Sequence, residues 1–238
     1  QDKVRQIEEY YAQCELEGAN EHQVEESQKA VAKMEVIIGD PDRLRAVAED
    51  FIKHYETRVA EGATVAGKAM FVCSNRNIAY DFYKIVKELR PEWTEKKICD
   101  DGVVLSEKDK KELKPMEKIK LVMTRNKDDE KDLFDMLGTK EDRKEFDRQF
   151  KNPKSNFKIA IVVDMWLTGF DVPELDTIYI DKPIQQHTLI QTISRVNRVC
   201  EGKDKGLIVD YIGIKKNMNT ALKKYTNFES EEFEGVEQ

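Results

Sequence analysis

The stretch Ile159-Ala160-Ile161-Val162-Val163-Asp164-Met165-Trp166-Leu167-Thr168-Gly169-Phe170-Asp171-Val172-Pro173 decides the fold. Five consecutive apolar residues predict a strand covered on both faces, because a strand with one wet face would alternate apolar and polar residues. The run stops at Asp164 and enters a loop in which Thr168, Gly169 and Asp171 lie close together. In open parallel sheets, ligands bind in loops that leave the carboxyl ends of strands. Gly169 permits close backbone approach, Thr168 offers a hydroxyl to a phosphate, and Asp171 offers an acceptor to a sugar or to a partner arginine. An ordinary strand–loop with an aspartate cap explains the same residues equally well at this point.

Similar short apolar runs occur at residues 69–73, 119–123, 177–180 and 207–209. Amphipathic helical stretches lie between most of them. Residues 77–90 carry Ile78, Phe82, Ile85, Val86 and Leu89 on one face, and residues 141–150 and 186–199 read the same way. Strands alternating with helices imply an α/β fold, a parallel sheet with helices on both faces. A short strand is expected within residues 97–105, and residues 106–115 and 127–140 read as charged surface excursions. The first sixty residues read as helix, from Val4, Ile7, Tyr11 and Cys14 and again from Leu44, Val47, Phe51, Ile52 and Tyr55. Asp40-Pro41 is a start signal for the second of these helices, and Gly62 a stop. This divides the chain into a helical lead-in over 1–62, a sheet domain over 63–216, and a C-terminal helix and acidic tail over 217–238 leading toward a further domain. The chain starts at Gln1 with no signal-peptide pattern, as expected of a piece of a longer protein.

The chain has 238 residues and a mass of 27.7 kDa, ample for a core that needs neither disulfide nor metal. No apolar run reaches membrane-spanning length. Forty basic residues against 47 acidic ones give a net charge of −7, which excludes a globally basic nucleic-acid binder. It leaves open binding through local charge and positioned amides. Cys14, Cys73, Cys99 and Cys200 are scattered without C-x-x-C spacing, and His22, His54 and His187 are equally dispersed. No metal site is expected, and a reducing cytoplasm is the natural setting.

Gly62-Ala63-Thr64-Val65-Ala66-Gly67-Lys68 matches G-x-x-x-x-G-K, but in the wrong context. A phosphate-cradling loop needs a strand before it and a helix after it, so that helix amides face the phosphate. Here the order is reversed, and Ala69 offers no hydroxyl to magnesium, so the segment reads as a linker. Strands end at Asp164, Asp181 and Asp210 without a second acid, so the paired carboxylates of a magnesium-dependent hydrolase are not expected in this chain. Gln191-Thr192-Ile193-Ser194-Arg195-Val196-Asn197-Arg198 reads as helix and places two arginines three apart, so they project from one face. The core does not explain them, and a surface salt-bridge pair is the plainer alternative. Phe71-Val72-Cys73-Ser74-Asn75-Arg76-Asn77 ends a strand in polar residues able to cap a helix, and Thr124-Arg125-Asn126 repeats the pattern after the next strand.

In order, these pieces resemble the second RecA-like domain of superfamily 2 helicases and translocases. More closely, KAMFVCSNRNIAYDFYKIV, IAIVVDMWLTGFDVPELDTIYIDKP, LIQTISRVNRV and GLIVDYIGI are similar to the motor (R) subunit of type I restriction enzymes, over roughly residues 30–216. Residues 71–76 correspond to helicase motif IV, 166–173 to motif V and 191–198 to motif VI, with Ser194 where many helicases have glycine. The resemblance implies a bacterial or archaeal cytoplasmic DNA motor whose complete subunit uses ATP and Mg2+. Its partners would be double-stranded DNA, the first RecA-like domain of the same subunit, and methylation and specificity subunits. It implies that Arg198 and Arg195 complete an ATP site between two domains, with Gln191, Gly169 and Asp171 in coupling roles, and that Ser74, Arg76, Thr124 and Thr168 face the DNA backbone. Alone, without a P-loop, magnesium carboxylates or nuclease domain, this chain would neither hydrolyse ATP nor cut DNA. The competing expectations are the second RecA-like domain of another superfamily 2 DNA helicase, or a non-catalytic RecA-like interaction domain.

Overall fold

The computed structural model describes residues 34–167, 169–184, 186–203 and 205–213. Strands β1 (Lys68–Cys73), β2 (Ile119–Val122), β3 (Ile159–Val162), β4 (Leu175–Asp181) and β5 (Leu207–Asp210) form one sheet in the order β2-β3-β1-β4-β5. Every pairing is parallel. All five expected strands are present, and the expected α/β class, a parallel sheet with helices on both faces, is found. Helices α1 (Pro41–Ala60), α2 (Arg76–Leu89), α3 (Glu107–Glu112), α4 (Lys131–Leu137), α5 (Lys140–Lys151) and α6 (Gln186–Val196) surround it.

Alternation along the strands sorts the core into two faces. Met70, Val72, Ala160, Val162, Ile178 and Ile180 join a cluster with Phe146 and Phe150 of α5, Leu189 and Val196 of α6, and the loop residues Trp166 and Phe170. Phe71, Cys73, Ile159, Ile161 and Tyr179 point the other way, toward α1, α2, Trp93 and α4. The lead-in helix α1 is part of this second layer. Its stripe Leu44, Val47, Ala48, Phe51, Ile52 and Tyr55 is buried. The Phe51 ring meets Tyr179 edge-on at 4.8 Å and Phe71 at 5.2 Å. Such pairs add about 0.5–1.5 kcal/mol each beyond the area they bury.

The amino end of α1 is fixed electrostatically. Asp40 accepts from the Arg43 amide, as the cap signal implies. The Arg43 guanidinium then pairs with Asp181 through both terminal nitrogens and donates to the Ile38 and Tyr211 carbonyls. Asp181, at the end of β4, is fully buried. Burial pushes its carboxyl above the usual range, against the opposing pull of Arg43. Just past the end of β5, Tyr211 donates its hydroxyl to Asp50 of α1, 2.8 Å away. One helix therefore fixes both the end of β4 and the chain leaving β5.

Three expectations need correction. Residues 97–105 form no strand: Lys97 makes one antiparallel bridge to Met116, and the turn at Gly102 (φ 85°) ends any extension. Residues 127–140 are not merely an excursion, because Leu133 and Leu137, four apart, bury one face of α4. The last helix stops at Val196 instead of continuing to 199, so Arg195 and Arg198 do not share a continuous helix face. The Gly206 backbone lies close against the end of the helix there, where a Cβ would stand 2.3 Å from the Val196 carbonyl oxygen. The chain has already turned back there to enter β5. Val4, Ile7, Tyr11, Cys14 and the acidic tail lie outside the described residues.

Candidate functional site

The sequence-predicted residues separate onto two edges of the sheet. Ser74, Arg76 and Thr124 follow β1 and β2 at the carboxyl edge. The Ser74 hydroxyl donates to the Asp181 carbonyl at 2.8 Å, joining the end of β1 to that of β4. Asn75 caps α2 by accepting from the Ile78 amide. Arg76 is engaged internally: its Nη2 donates to both Asp129 carboxylate oxygens at 2.6 Å, and its Nη1 to the Thr124 carbonyl at 2.6 Å. The Thr124 side chain is exposed. Thr168 lies outside the described residues.

The three strand-ending aspartates do different things. Asp181 is held by Arg43. Asp164 pairs with Lys182, which also donates to the Val163 carbonyl. One Asp210 carboxylate oxygen accepts from the Ile212 and Gly213 amides and shapes the turn after β5.

The Gly169–Asp171 segment ends elsewhere than its starting strand suggests. After β3 the chain crosses the face of the sheet and descends to the start of β4. Trp166 and Phe170 stack with ring centroids 4.1 Å apart, over Phe150. Trp166 sits at φ 70°, a costly conformation for a bulky residue that its buried ring holds in place. Gly169 (φ 69°) has no atom within 4 Å of where a Cβ would stand. Here the glycine serves backbone conformation and leaves the space beside it open. Lys203, just before β5, donates to the Pro173 and Leu175 carbonyls and ties this end of the loop to the amino side of β4 and β5.

There the loop meets the segment after α6. Arg198 Nε lies 3.4 Å from Asp171, and both side chains are about half exposed. Arg195, in the last turn of α6, has its Nε buried without a hydrogen-bond partner among the described residues. Gln191 is half-buried, and its carbonyl accepts from the Ser194 hydroxyl at 2.7 Å. Asp171 and Arg198 thus meet on the amino side, with Gly169 two residues before Asp171 and Arg195 in the last turn of α6. The Arg198 guanidinium, loosely paired and half exposed, can offer positive charge and planar donors to an anion, whereas the Arg195 Nε is buried.

Lys68 of the G-x-x-x-x-G-K match opens β1 and is fully buried. Its ammonium donates to the Phe157 carbonyl at 2.5 Å and sits over the Phe150 ring, and burial pushes its pKa well below the ordinary lysine value. Its amine is a core group, not a phosphate ligand, in keeping with the linker reading. Two residues the sequence did not single out matter to the carboxyl edge: Arg43 and Asp129. Both act through contacts distant in sequence, for which no local spacing gives a signal.

Comparison with known proteins places residues 65–213 in the family described as type I restriction enzyme subunit R domain 3. The chain is 37% identical over 206 residues, 85% of its length, to the HindI endonuclease subunit of a type I restriction enzyme from Haemophilus influenzae. It is 39% identical over 211 residues, 88% of its length, to the MjaIXP endonuclease subunit assigned to a type I restriction enzyme of Methanocaldococcus jannaschii. It spans 18% of the length of each. Among solved structures it is similar to a fragment of an HsdR subunit assigned to a type I restriction enzyme from Vibrio vulnificus YJ016. That match has a TM-score of 0.49 and 16% identity, and covers 75% of this chain and 30% of the other.

Proposed function

The chain belongs to the family of type I restriction enzyme subunit R domain 3, and from that premise we propose that it is the second RecA-like domain of an ATP-driven DNA translocase. In this reading the complete subunit works with methylation and specificity subunits in the cytoplasm of a bacterium or archaeon. ATP and Mg2+ are held mainly by the first RecA-like domain, and this chain supplies the far wall of the cleft. Cleavage belongs to the complete enzyme.

The observation that carries the reading is the exposed Arg198–Asp171 pair just after the helix that ends in Arg195 and Val196. During phosphoryl transfer, charge on the γ-phosphoryl oxygens is stabilised by guanidinium donors brought up from the opposite domain. Arg198 suits this role because its exposed pair with Asp171 is worth only about 0–1 kcal/mol and releases easily. Arg195 acts as a second phosphate or coupling contact, while Gln191 and Gly169 shape the approach. The carboxyl edge, with Ser74, Arg76 and Thr124, faces the DNA backbone, and Thr168 is a further backbone contact. Contacts of that kind give grip without sequence recognition. Two functions on two edges suit a motor, since cleft closure at one edge then moves a DNA-facing surface at the other.

The test is DNA-stimulated ATP hydrolysis by the complete subunit. Arg198→Ala is expected to lower turnover by about 10³-fold or more, with DNA binding and fold retained. Arg198→Lys is also expected to be damaging, because an ammonium lacks the planar fork. Near-normal turnover in Arg198→Ala would remove it from the site, and loss confined to a folded Arg195→Ala variant would reassign the role.

A further inference from the structure

Arg76, the arginine among the residues that the proposed function turns toward DNA, is already paired within the domain. Asp129, on the loop after β2, takes one Arg76 nitrogen with both carboxylate oxygens at 2.6 Å. The Asp129 side chain is 6% exposed, and Arg76 is 28% exposed. Asp129 is itself fixed, since it accepts from the Asn126 amide at 2.6 Å while its own amide donates to the Asn126 carbonyl. The second terminal nitrogen of Arg76 is spent on the Thr124 carbonyl. The guanidinium is therefore clamped in a pair of zero net charge, yet remains partly exposed next to the exposed Thr124.

We propose that Asp129 is an electrostatic brake on the DNA-facing edge: it holds Arg76 in place for the backbone while cancelling most of the charge with which Arg76 would hold a phosphate. This rests on the reading that the edge faces DNA and adds a regulatory residue to it. A free arginine makes strong forked contacts with phosphate, which suits a static binder and hinders a motor that must release the backbone at every step. A pre-paired arginine keeps the geometry, since it stays positioned, and yields a weaker and more readily broken contact. Asp129 is thus a positioning residue with an electrostatic consequence, whereas an aspartate that merely braced the loop would affect only its order.

The experiment measures affinity of the complete subunit for a non-specific DNA duplex over a range of salt concentrations. The slope of log affinity against log salt counts the phosphate charges neutralised, at about −0.9 per contact. Asp129→Asn keeps an acceptor for the Asn126 amide and removes the charge. It is expected to bind DNA more tightly, to steepen the slope by about one contact, and to slow translocation. Arg76→Gln, which leaves the carboxylate alone, is expected to weaken binding and flatten the slope by a similar amount. The double variant is expected to return close to wild type. Asp129→Ser gives the same reading if Asp129→Asn does not fold. Weakened binding and a flatter slope in both single variants would overturn the brake while leaving DNA at this edge. Unchanged affinity and slope in every variant would overturn the DNA placement itself, and the brake with it.

Discussion

Arg198 and Asp171 meet at 3.4 Å on the amino side of the sheet, although the strand leading to Asp171 ends on the carboxyl side. The crossing loop between β3 and β4 brings this about. Its Trp166–Phe170 stack holds the loop against Phe150 and leaves Gly169 and Asp171 at the surface. The pair thereby connects the loop after β3 with the arginine-bearing segment that follows α6.

Arg43 is expected to be a major determinant of stability. Arg43→Ala would leave Asp181 fully buried without its counter-charge, and losing one partner of a buried pair costs about 3–5 kcal/mol. Thermal unfolding of the purified chain would show a clear fall in Tm. Adding Asp181→Asn should restore part of it, because an amide tolerates burial without a counter-charge. A single variant as stable as wild type would show that α1 is anchored by its apolar stripe alone.

Lys68 is expected to matter to folding and not to nucleotide. In the complete subunit, Lys68→Met should lower stability, since the Phe157 carbonyl loses its donor, while leaving the KM for ATP unchanged. A rise of tenfold or more in KM, in a variant that remains folded, would return the 62–68 loop to the phosphate site.

Stability should fall with mild acid, in part through His54. Burial, aided by Arg58, lowers the His54 pKa below its ordinary value, and Nδ1 lies 2.8 Å from the Tyr179 hydroxyl. A base with a depressed folded pKa takes up its proton more readily when unfolded. Its contribution is therefore present above the unfolded value of about 6.5 and is lost as pH falls below it. Chemical denaturation at pH 7.5 and pH 5.5 should show this loss, and His54→Gln should reduce it. An identical pH dependence in His54→Gln would assign the effect to other groups.

The sheet was legible because each strand is a short apolar run of a kind that only a doubly covered parallel sheet accommodates, as at 159–163. The cap at Asp40-Pro41 was legible for the same local reason. Helix α4 was not, because its two buried leucines lie among charges and give only one turn of periodicity. The end of α6 was hidden as well, since the helical spacing of the sequence runs on past Val196 and the Gly206 backbone that packs there comes from outside the helix. At the candidate site, Asp171 and Arg198 were identifiable as residues, but their meeting at the edge opposite Ser74 and Arg76 depends on the path of a loop. The Arg43–Asp181 and Arg76–Asp129 pairs join positions far apart in the chain, and residue spacing carries no trace of them.

The central proposal is that Arg198 stabilises a phosphoryl group in transfer at a cleft shared with another domain. The most direct measurement is binding of ADP with aluminium fluoride, which imitates the transferring phosphoryl group, to the complete subunit with Mg2+ and DNA present. An interaction made in the transition state and not in the ground state shows up as selective loss of such an analogue. The expected result is that Arg198→Ala weakens the analogue by about 10³-fold while ATP binding changes little. Equal affinity of wild type and Arg198→Ala for the analogue would contradict the account.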